Sequence, residues 1–159
     1  MFKPISISSN KAENLSYFLQ NIEGYISIEE NQLTNLSNFA AIVKYFFDDV
    51  NWAGFYLYDG EKLFLGPFQG LPACTTIAMG KGVCGTAAKL RQTVMVPDTR
   101  EFPGHIVCDE ASLSEIVIPI IKNGELFGVL DIDSPSLNRF DKTDQDFLEK
   151  GIAVLIDNL

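Results

Sequence analysis

The chain has 159 residues, 47% of them hydrophobic, and its formal net charge is -9 with a sequence pI near 4.5. This size and hydrophobic content predict one domain with one buried core. The excess of negative charge excludes nucleic acid and anionic membrane surfaces as partners, because both would repel the protein. Residues 1–15 lack the apolar stretch of a secretory signal and no segment is long enough to span a bilayer, which predicts a cytoplasmic protein.

Residues 1–50 are predicted to be largely helical, because apolar side chains recur there at intervals of three and four. Two such stripes follow each other along the chain and predict two helices. The first stripe consists of Leu15, Phe18, Leu19, Ile22 and Ile26. The second stripe consists of Leu33, Leu36, Phe39, Ala40, Val43 and Phe46 or Phe47.

Residues 51–140 are predicted to form a sheet with its loops, because the apolar period changes there to two. Asp-Gly and Asn-Gly are favoured in tight hairpin turns. The predicted elements are, in chain order, a hairpin turning at Asp59-Gly60, a strand over 75–79, a short helix over 83–91, a strand over 93–98 and a second hairpin turning at Asn123-Gly124.

Residues 141–159 are predicted to form a closing helix that Asp141 or Thr143 caps. Its buried stripe would consist of Phe147, Leu148, Ile152, Leu155 and Ile156. Helices at both ends of a mostly antiparallel sheet predict an α+β fold rather than a doubly wound parallel sheet.

The run Gly80-Lys81-Gly82-Val83-Cys84-Gly85 fits the G-x-G-x-x-G pattern of a dinucleotide-binding turn. A dinucleotide-binding fold needs further parallel strands with crossover helices, and the chain after Asp98 predicts a loop, a hairpin and one helix instead. We therefore interpret the glycines as a tight strand-to-helix turn and expect no nucleotide cofactor. This turn places Cys84 in the first turn of a helix, where the helix dipole favours a thiolate.

The chain has three cysteines, Cys74, Cys84 and Cys108. A zinc site is disfavoured because no C-x-x-C pair is present, and His105 with Cys108 is the one close pair of ligands. Burial as a small apolar residue is the ordinary alternative for each cysteine. All three are predicted in loops or at element ends, where we expect accessible and reactive thiols that form a transient disulfide.

The second hairpin carries acidic residues whose placement depends on its register. A three-residue loop with a left-handed Gly124 would pair Ile121 with Glu125 and Glu115 with Asp131. We predict this register because it gives one apolar and one acidic face. The predicted apolar face consists of Ile116, Ile118, Ile120, Leu126, Gly128, Leu130 and Ile132, and the predicted acidic face of Glu115, Val117, Val129, Asp131 and Asp133.

Three carboxylates at one end of a strand face are usually a solvated edge. Beneath a loop they would raise one another's pKa, so that one stays protonated near neutral pH and acts as an acid. They would also attract an ammonium group.

Four segments resemble the GAF-domain free methionine-(R)-sulfoxide reductases: "NWAGFYLYDGEKLFLGPFQGLPAC", "GKGVCGTAA", "VPDTREFPGHIVCDEASLSEIVIPI" and "GVLDIDSP". The resemblance covers nearly the whole chain and implies a GAF-like fold. It implies an enzyme that reduces the R epimer of free methionine sulfoxide and is recharged by thioredoxin, without a flavin, a nicotinamide or a metal.

The resemblance also implies roles for particular residues. Cys108 matches the attacking thiol, Cys74 the resolving thiol and Cys84 an auxiliary or second resolving thiol. The residues that match substrate-binding acids and pocket aromatics are Glu115, Asp131, Asp133, Trp52 and Tyr56. Without the resemblance, Trp52 is equally well explained as a core aromatic at a strand end.

Two other interpretations stay open at this point. The chain could be a non-enzymatic GAF module that binds a small ligand or senses redox state through a switch disulfide, or a metal-binding protein. We interpret His105 as a bystander and Arg100 as a surface charge or a contact for the substrate carboxylate. The loop over 98–112 is expected to close as a lid that brings Cys108 toward Cys74, and the N-terminal helices serve either a homodimer or a monomer.

Overall fold

The computed structural model describes residues 8, 10–106 and 109–159. The described residues form four α-helices, six strands and a short 3-10 turn at Thr99–Glu101. The helices are α1 (Lys11–Tyr25), α2 (Gln32–Phe46), α3 (Gly82–Leu90) and α4 (Lys142–Asp157). The strands are β1 (Trp52–Tyr58), β2 (Lys62–Gln69), β3 (Thr76–Ala78), β4 (Val94–Val96), β5 (Ser114–Lys122) and β6 (Glu125–Ser134).

The strands form one antiparallel sheet in the order β3-β2-β1-β6-β5-β4. Both predicted hairpins, β1-β2 and β5-β6, are neighbours in this sheet, and helices stand at both ends of the chain. The α+β prediction is confirmed. Within the described ranges, no helix combines the length and the hydrophobicity that crossing a bilayer requires.

The two faces of the sheet are covered by different helices. α2 and α4 pack on one face with α1 against both of them, while α3 contacts β3, β4, β5 and β6 on the other. Side-chain oxygens of Asn10, Asn31 and Asp141 accept hydrogen bonds from the first turns of α1, α2 and α4. Asp141 is therefore the cap of the closing helix, and Thr143 is not. Leu33 lies in the first turn of α2 and is 65% exposed, so the buried stripe of α2 begins at Leu36.

The predicted loop of the second hairpin is wrong. Lys122 pairs with Glu125 across a two-residue turn, with φ of 52° at Asn123 and 82° at Gly124. Positive φ at both central residues is the geometry of a type I′ turn, which matches the twist of the flanking strands.

A bulge then shifts the register beyond the turn. Ile121 pairs with Leu126 but Ile120 pairs with Gly128, so Phe127 is an extra residue in β6. As a result Glu115 pairs with Asp133, and its predicted pairing with Asp131 is also wrong.

The predicted division of faces is nevertheless correct beyond the bulge, because the turn and the bulge together shift the pairing by an even number of residues. Val117 and Val129 pack on the side of α3, and the acids share their face. Leu126 is the exception: it precedes the bulge and packs with the cluster on the α3 side. The residues confirmed on the opposite, apolar face are Ile116, Ile118, Ile120, Leu130 and Ile132.

The glycine run forms the turn that leads from β3 into α3. The Gly80 N–H donates a hydrogen bond of 2.7 Å to the Gly85 carbonyl, and Gly82 has a φ of 60°. A Cβ at Gly85 would lie 2.4 Å from the Ala78 carbonyl oxygen. These glycines are therefore explained by backbone geometry, and the antiparallel sheet lacks the parallel strands of a dinucleotide-binding fold.

Candidate active site

A cleft lies where the N-terminus of α3 and residues 105–106 and 109–112 meet the acidic face of β5 and β6. Its described lining residues include Ile77, Lys81, Gly82, Val83, Cys84, His105, Ile106, Asp109, Ser112, Glu115, Asp131 and Asp133. The three predicted acids and one of the three predicted cysteines are thus brought together on its walls.

The three acids form one wall of the cleft. Glu115 stands on β5 directly opposite Asp133 of β6, and Asp131 pairs with Val117 on the same face. Glu115 and Asp131 are 5% and 6% exposed, and Asp133 is half-buried. The alternation of side chains along two paired strands therefore places three carboxyl groups side by side under the loop.

Burial of this wall controls its protonation. Burial raises the pKa of Glu115, Asp131 and Asp133 well above the usual range, and the negative charges of neighbouring acids raise them further. Because like charges this close cannot all ionise, the cluster retains a proton where isolated carboxyls would have lost theirs.

Cys84 is a buried free thiol in the first turn of α3. Its Sγ lies 3.9 Å from Oε1 of Glu115. Burial raises the pKa of the Cys84 thiol, and the charges of Asp131 and Glu115 raise it further. The predicted accessible thiolate is therefore wrong for Cys84, because desolvation and neighbouring acids oppose the helix dipole.

Of the other two cysteines, the structure describes Cys74. Cys74 is half-buried and disulfide-bonded, and its carbonyl accepts a hydrogen bond of 2.9 Å from the Tyr56 hydroxyl. Cys108, the residue predicted to attack the substrate, lies outside the described residues. Its role and the lid closure stay predictions.

Trp52 and Tyr56 lie on β1, on the same side of the sheet as the acids. They are 3% and 1% exposed. The Trp52 ring stacks on Tyr56 and Phe68, with ring centroids 5.9 Å and 5.3 Å away, and Trp52 pairs with Asp133 across the β1-β6 ladder. Burial first, and the charge of Asp131 second, raise the pKa of Tyr56, which keeps its hydroxyl protonated.

His105 is a cleft residue that sequence reasoning had set aside. Its Nε2 lies 3.6 Å from Oε2 of Glu115, and burial lowers its pKa. Arg100, by contrast, forms a bidentate contact with Asp98 at 2.8 and 2.6 Å and is 64% exposed. The Arg100 side chain is therefore bound to Asp98, two residues earlier in the chain.

A polar network that the sequence did not reveal supports the acidic wall. Asn51 donates hydrogen bonds of 3.0 Å to Asp109 and to Ser112, and its backbone N–H donates one to the Asp133 carbonyl. The Ser112 side chain also hydrogen-bonds to Asp133. Short polar residues in a loop give no periodic signal, so these contacts could not be found from one sequence.

Comparison with known proteins places these features in a family. The sequence profile of the GAF domain matches residues 32–156. The chain is 48% identical to GAF domain-containing protein A of Dictyostelium discoideum over 160 residues, which cover 99% of this chain and 100% of that protein. It is 46% identical to the free methionine-R-sulfoxide reductase of Saccharomyces cerevisiae over 159 residues, which cover 95% and 88% of the two chains.

A solved structure shares the same fold. The free methionine-R-sulfoxide reductase from Neisseria meningitidis, determined in complex with its substrate, superposes with a TM-score of 0.92 at 40% identity. The match covers 99% of this chain and 95% of that one. The resemblance found in the sequence segments is thereby confirmed.

Proposed function

The chain belongs to the GAF domain family, and from this premise we propose that it is an enzyme that reduces free methionine (R)-S-oxide to methionine. The observation that carries the proposal is the buried wall of Glu115, Asp131 and Asp133 in the cleft, where burial and neighbouring charges raise the pKa of each carboxyl group. The reductase names of the yeast and Neisseria relatives support it.

The first proposed step transfers two electrons from a cysteine to the substrate. The Cys108 thiolate attacks the sulfoxide sulfur while a protonated carboxyl of the wall gives its proton to the departing oxygen. Methionine leaves, and Cys108 retains the oxygen as a sulfenic acid. The wall suits this step because burial raises the pKa of its carboxyl groups and so favours their protonated form.

The later steps restore the thiols. The Cys74 thiol condenses with the sulfenic acid and releases water, which leaves a disulfide between the two cysteines. A dithiol of the thioredoxin type reduces this disulfide by exchange and becomes oxidised itself. Cys84 serves as an auxiliary or second resolving thiol within the cleft. A reducing cytoplasm would supply such a dithiol.

The same wall explains why the substrate would be a free amino acid. Ionised carboxylates of the wall bind the ammonium group, which a methionine residue within a protein lacks. The Trp52 ring stacks on Tyr56 and Phe68 and is not among the lining residues named for the cleft, so its packing against the substrate S-methyl group would need these rings to rearrange. Tyr56 supports both the ring and the Cys74 loop through its stacking contact and its hydrogen bond.

The test measures consumption of the separate R and S epimers of free methionine sulfoxide with dithiothreitol, and then with thioredoxin, its reductase and NADPH. We expect turnover of the R epimer alone and loss of that turnover in Cys108→Ser. Glu110→Gln, an exposed loop substitution near Cys108, is the matched control and should retain activity. No turnover of either epimer would favour a GAF module that binds a small ligand or senses redox state.

A further inference from the structure

The cleft also brings together the atoms of a metal site. Cys84 Sγ, a carboxylate oxygen of Glu115 and a carboxylate oxygen of Asp131 all lie within 4.8 Å of one another, and all three residues are buried. His105 Nε2 stands 3.6 Å from Oε2 of the same Glu115. One sulfur and two carboxylates are ligands that zinc accepts, and a water molecule would complete a four-coordinate site.

An unpartnered buried oxygen points to a ligand at this place. Asp131 is 6% exposed, and its Oδ1 is buried without a hydrogen-bond partner in the described part of the chain. Among the described residues, no lysine or arginine lies within ion-pair distance of the three acids, and the basic side chain nearest to them is His105, beside Glu115. A cation would satisfy the oxygen and compensate the clustered negative charge.

We propose that Cys84, Glu115 and Asp131 bind a zinc ion, with a water molecule as the fourth ligand, and that this ion blocks the cleft. The 3.9 Å between Sγ and Oε1 allows an ion about 2.3 Å from sulfur and about 2.0 Å from oxygen. The thiolate distinguishes zinc from magnesium and calcium, which prefer all-oxygen ligands.

Binding would be a proton exchange without any redox change. The thiol of Cys84 and the protonated carboxyl groups lose their protons to solvent as the ion binds. The bound ion then occupies the carboxylates that would meet the substrate ammonium group. Zinc would therefore compete with the substrate. The inference thus has two halves: zinc binding, which is independent of the proposed function, and inhibition by zinc, which rests on it.

The binding half is tested on a chain that carries Cys74→Ser and Cys108→Ser, so that Cys84 is the remaining thiol. Equilibrium dialysis should show one tightly bound zinc ion per chain, and cobalt in its place should give a sulfur-to-cobalt charge-transfer band. The band reports ligation by Cys84 without altering any acid. If no ion binds in a one-to-one ratio, or if cobalt binds without the band, the proposed zinc site is refuted.

Substitutions then test the other ligands. Glu115→Gln and Asp131→Asn should each weaken zinc binding by about tenfold or more, and Cys84→Ser should remove the band. Glu125→Gln, at an exposed hairpin position, is the matched control and should change nothing. Equal affinity in all variants, with circular dichroism confirming their fold, would show adventitious surface binding and overturn the assignment.

The inhibitory half is tested with thioredoxin as reductant, because dithiothreitol itself binds zinc. Zinc should raise the KM for free methionine (R)-S-oxide and leave kcat unchanged. Bound zinc without inhibition would overturn this half. A chain that binds zinc but reduces no sulfoxide would refute the proposed function while leaving the zinc site intact.

Discussion

The two faces of the sheet use the same strands for different purposes. On the side of α2 and α4, β5 and β6 contribute aliphatic side chains to a cluster with the aromatic residues of α1, α2 and β1. On the side of α3, the alternate residues of the same two strands include three acids at their end. The comparison indicates that stability resides mainly on the first face, whereas the second face carries buried acids that we propose bind the substrate and donate a proton.

We expect the largest effect when an acid on the second face is neutralised, because this face should affect activity and not stability. Glu115→Gln removes a carboxyl group that we propose as a proton donor and an ammonium ligand, so kcat/KM for the R epimer should fall by about 10²- to 10⁴-fold. Stability should not fall, because an amide replaces a buried group whose ionisation is disfavoured. Steady-state kinetics and urea unfolding measure both quantities. A destabilised variant with full activity would reverse the assignment of the two faces.

On the first face the reverse outcome is expected. Phe39 is fully buried, with its ring 6.2 Å from that of Phe18 and 5.6 Å from that of Phe55. Phe39→Ala should lower the free energy of unfolding by about 3–5 kcal/mol, because it leaves a cavity. Its kcat per folded molecule should stay unchanged. Leu33→Ala, at a position that is 65% exposed, is the control and should change stability by less than about 0.5 kcal/mol.

The pH dependence of stability should report the second face as well. Glu115, Asp131 and Asp133 have raised pKa values in the folded protein, so the folded state binds more protons than the unfolded state. Their contribution is fully present below the unfolded pKa of about 4 and is lost as pH rises through the folded values. As pH rises, the free energy of unfolding should therefore fall by up to about 1.4 kcal/mol per pH unit for each extra proton that the folded state binds.

Urea unfolding at a series of pH values checks this slope. Asp131→Asn should make the slope shallower, because one of the shifted groups no longer titrates. Asp157→Asn, at the C-terminal end of α4, is the control and should keep the slope of the parent chain. A slope that is the same in all three proteins would refute the assignment of retained protons to the acidic wall.

Much of the fold could be predicted because apolar residues recur at regular intervals along its helices and strands. The stripes of α1 and α4, the strands and the two hairpin turns all follow from the spacing of apolar residues and from two Gly dipeptides. The bulge at Phe127 could not be predicted, because an extra residue leaves the alternation of β6 intact on each side of it. The faces beyond the bulge were correct even so, because the turn and the bulge each shift the pairing by one residue and together by two.

The site was less predictable for a different physical reason. The three acids share a face by strand alternation, which is local, and that part was found. The burial of Cys84 depends on the packing of α3 against the sheet, and the position of His105 depends on an irregular loop. Both are tertiary effects, and they changed the expected state of the Cys84 thiol from an accessible thiolate to a buried thiol.

The smallest expected effect concerns the turn that sets the acidic face. Gly124 has a φ of 82°, and a Cβ there would meet nothing within 4 Å, so Gly124→Ala isolates the backbone penalty of a left-handed residue. We expect a loss of about 1 kcal/mol in the free energy of unfolding. Gly24→Ala in α1 makes the same substitution in equally open space, and it should instead stabilise the protein by about 0.5–1 kcal/mol.

Because turn and bulge together determine the pairing of Glu115 with Asp133, kcat/KM should stay unchanged in Gly124→Ala if the turn keeps its two-residue form. A loss of activity larger than the loss of stability would show that the register slips at this turn and carries the acidic wall with it.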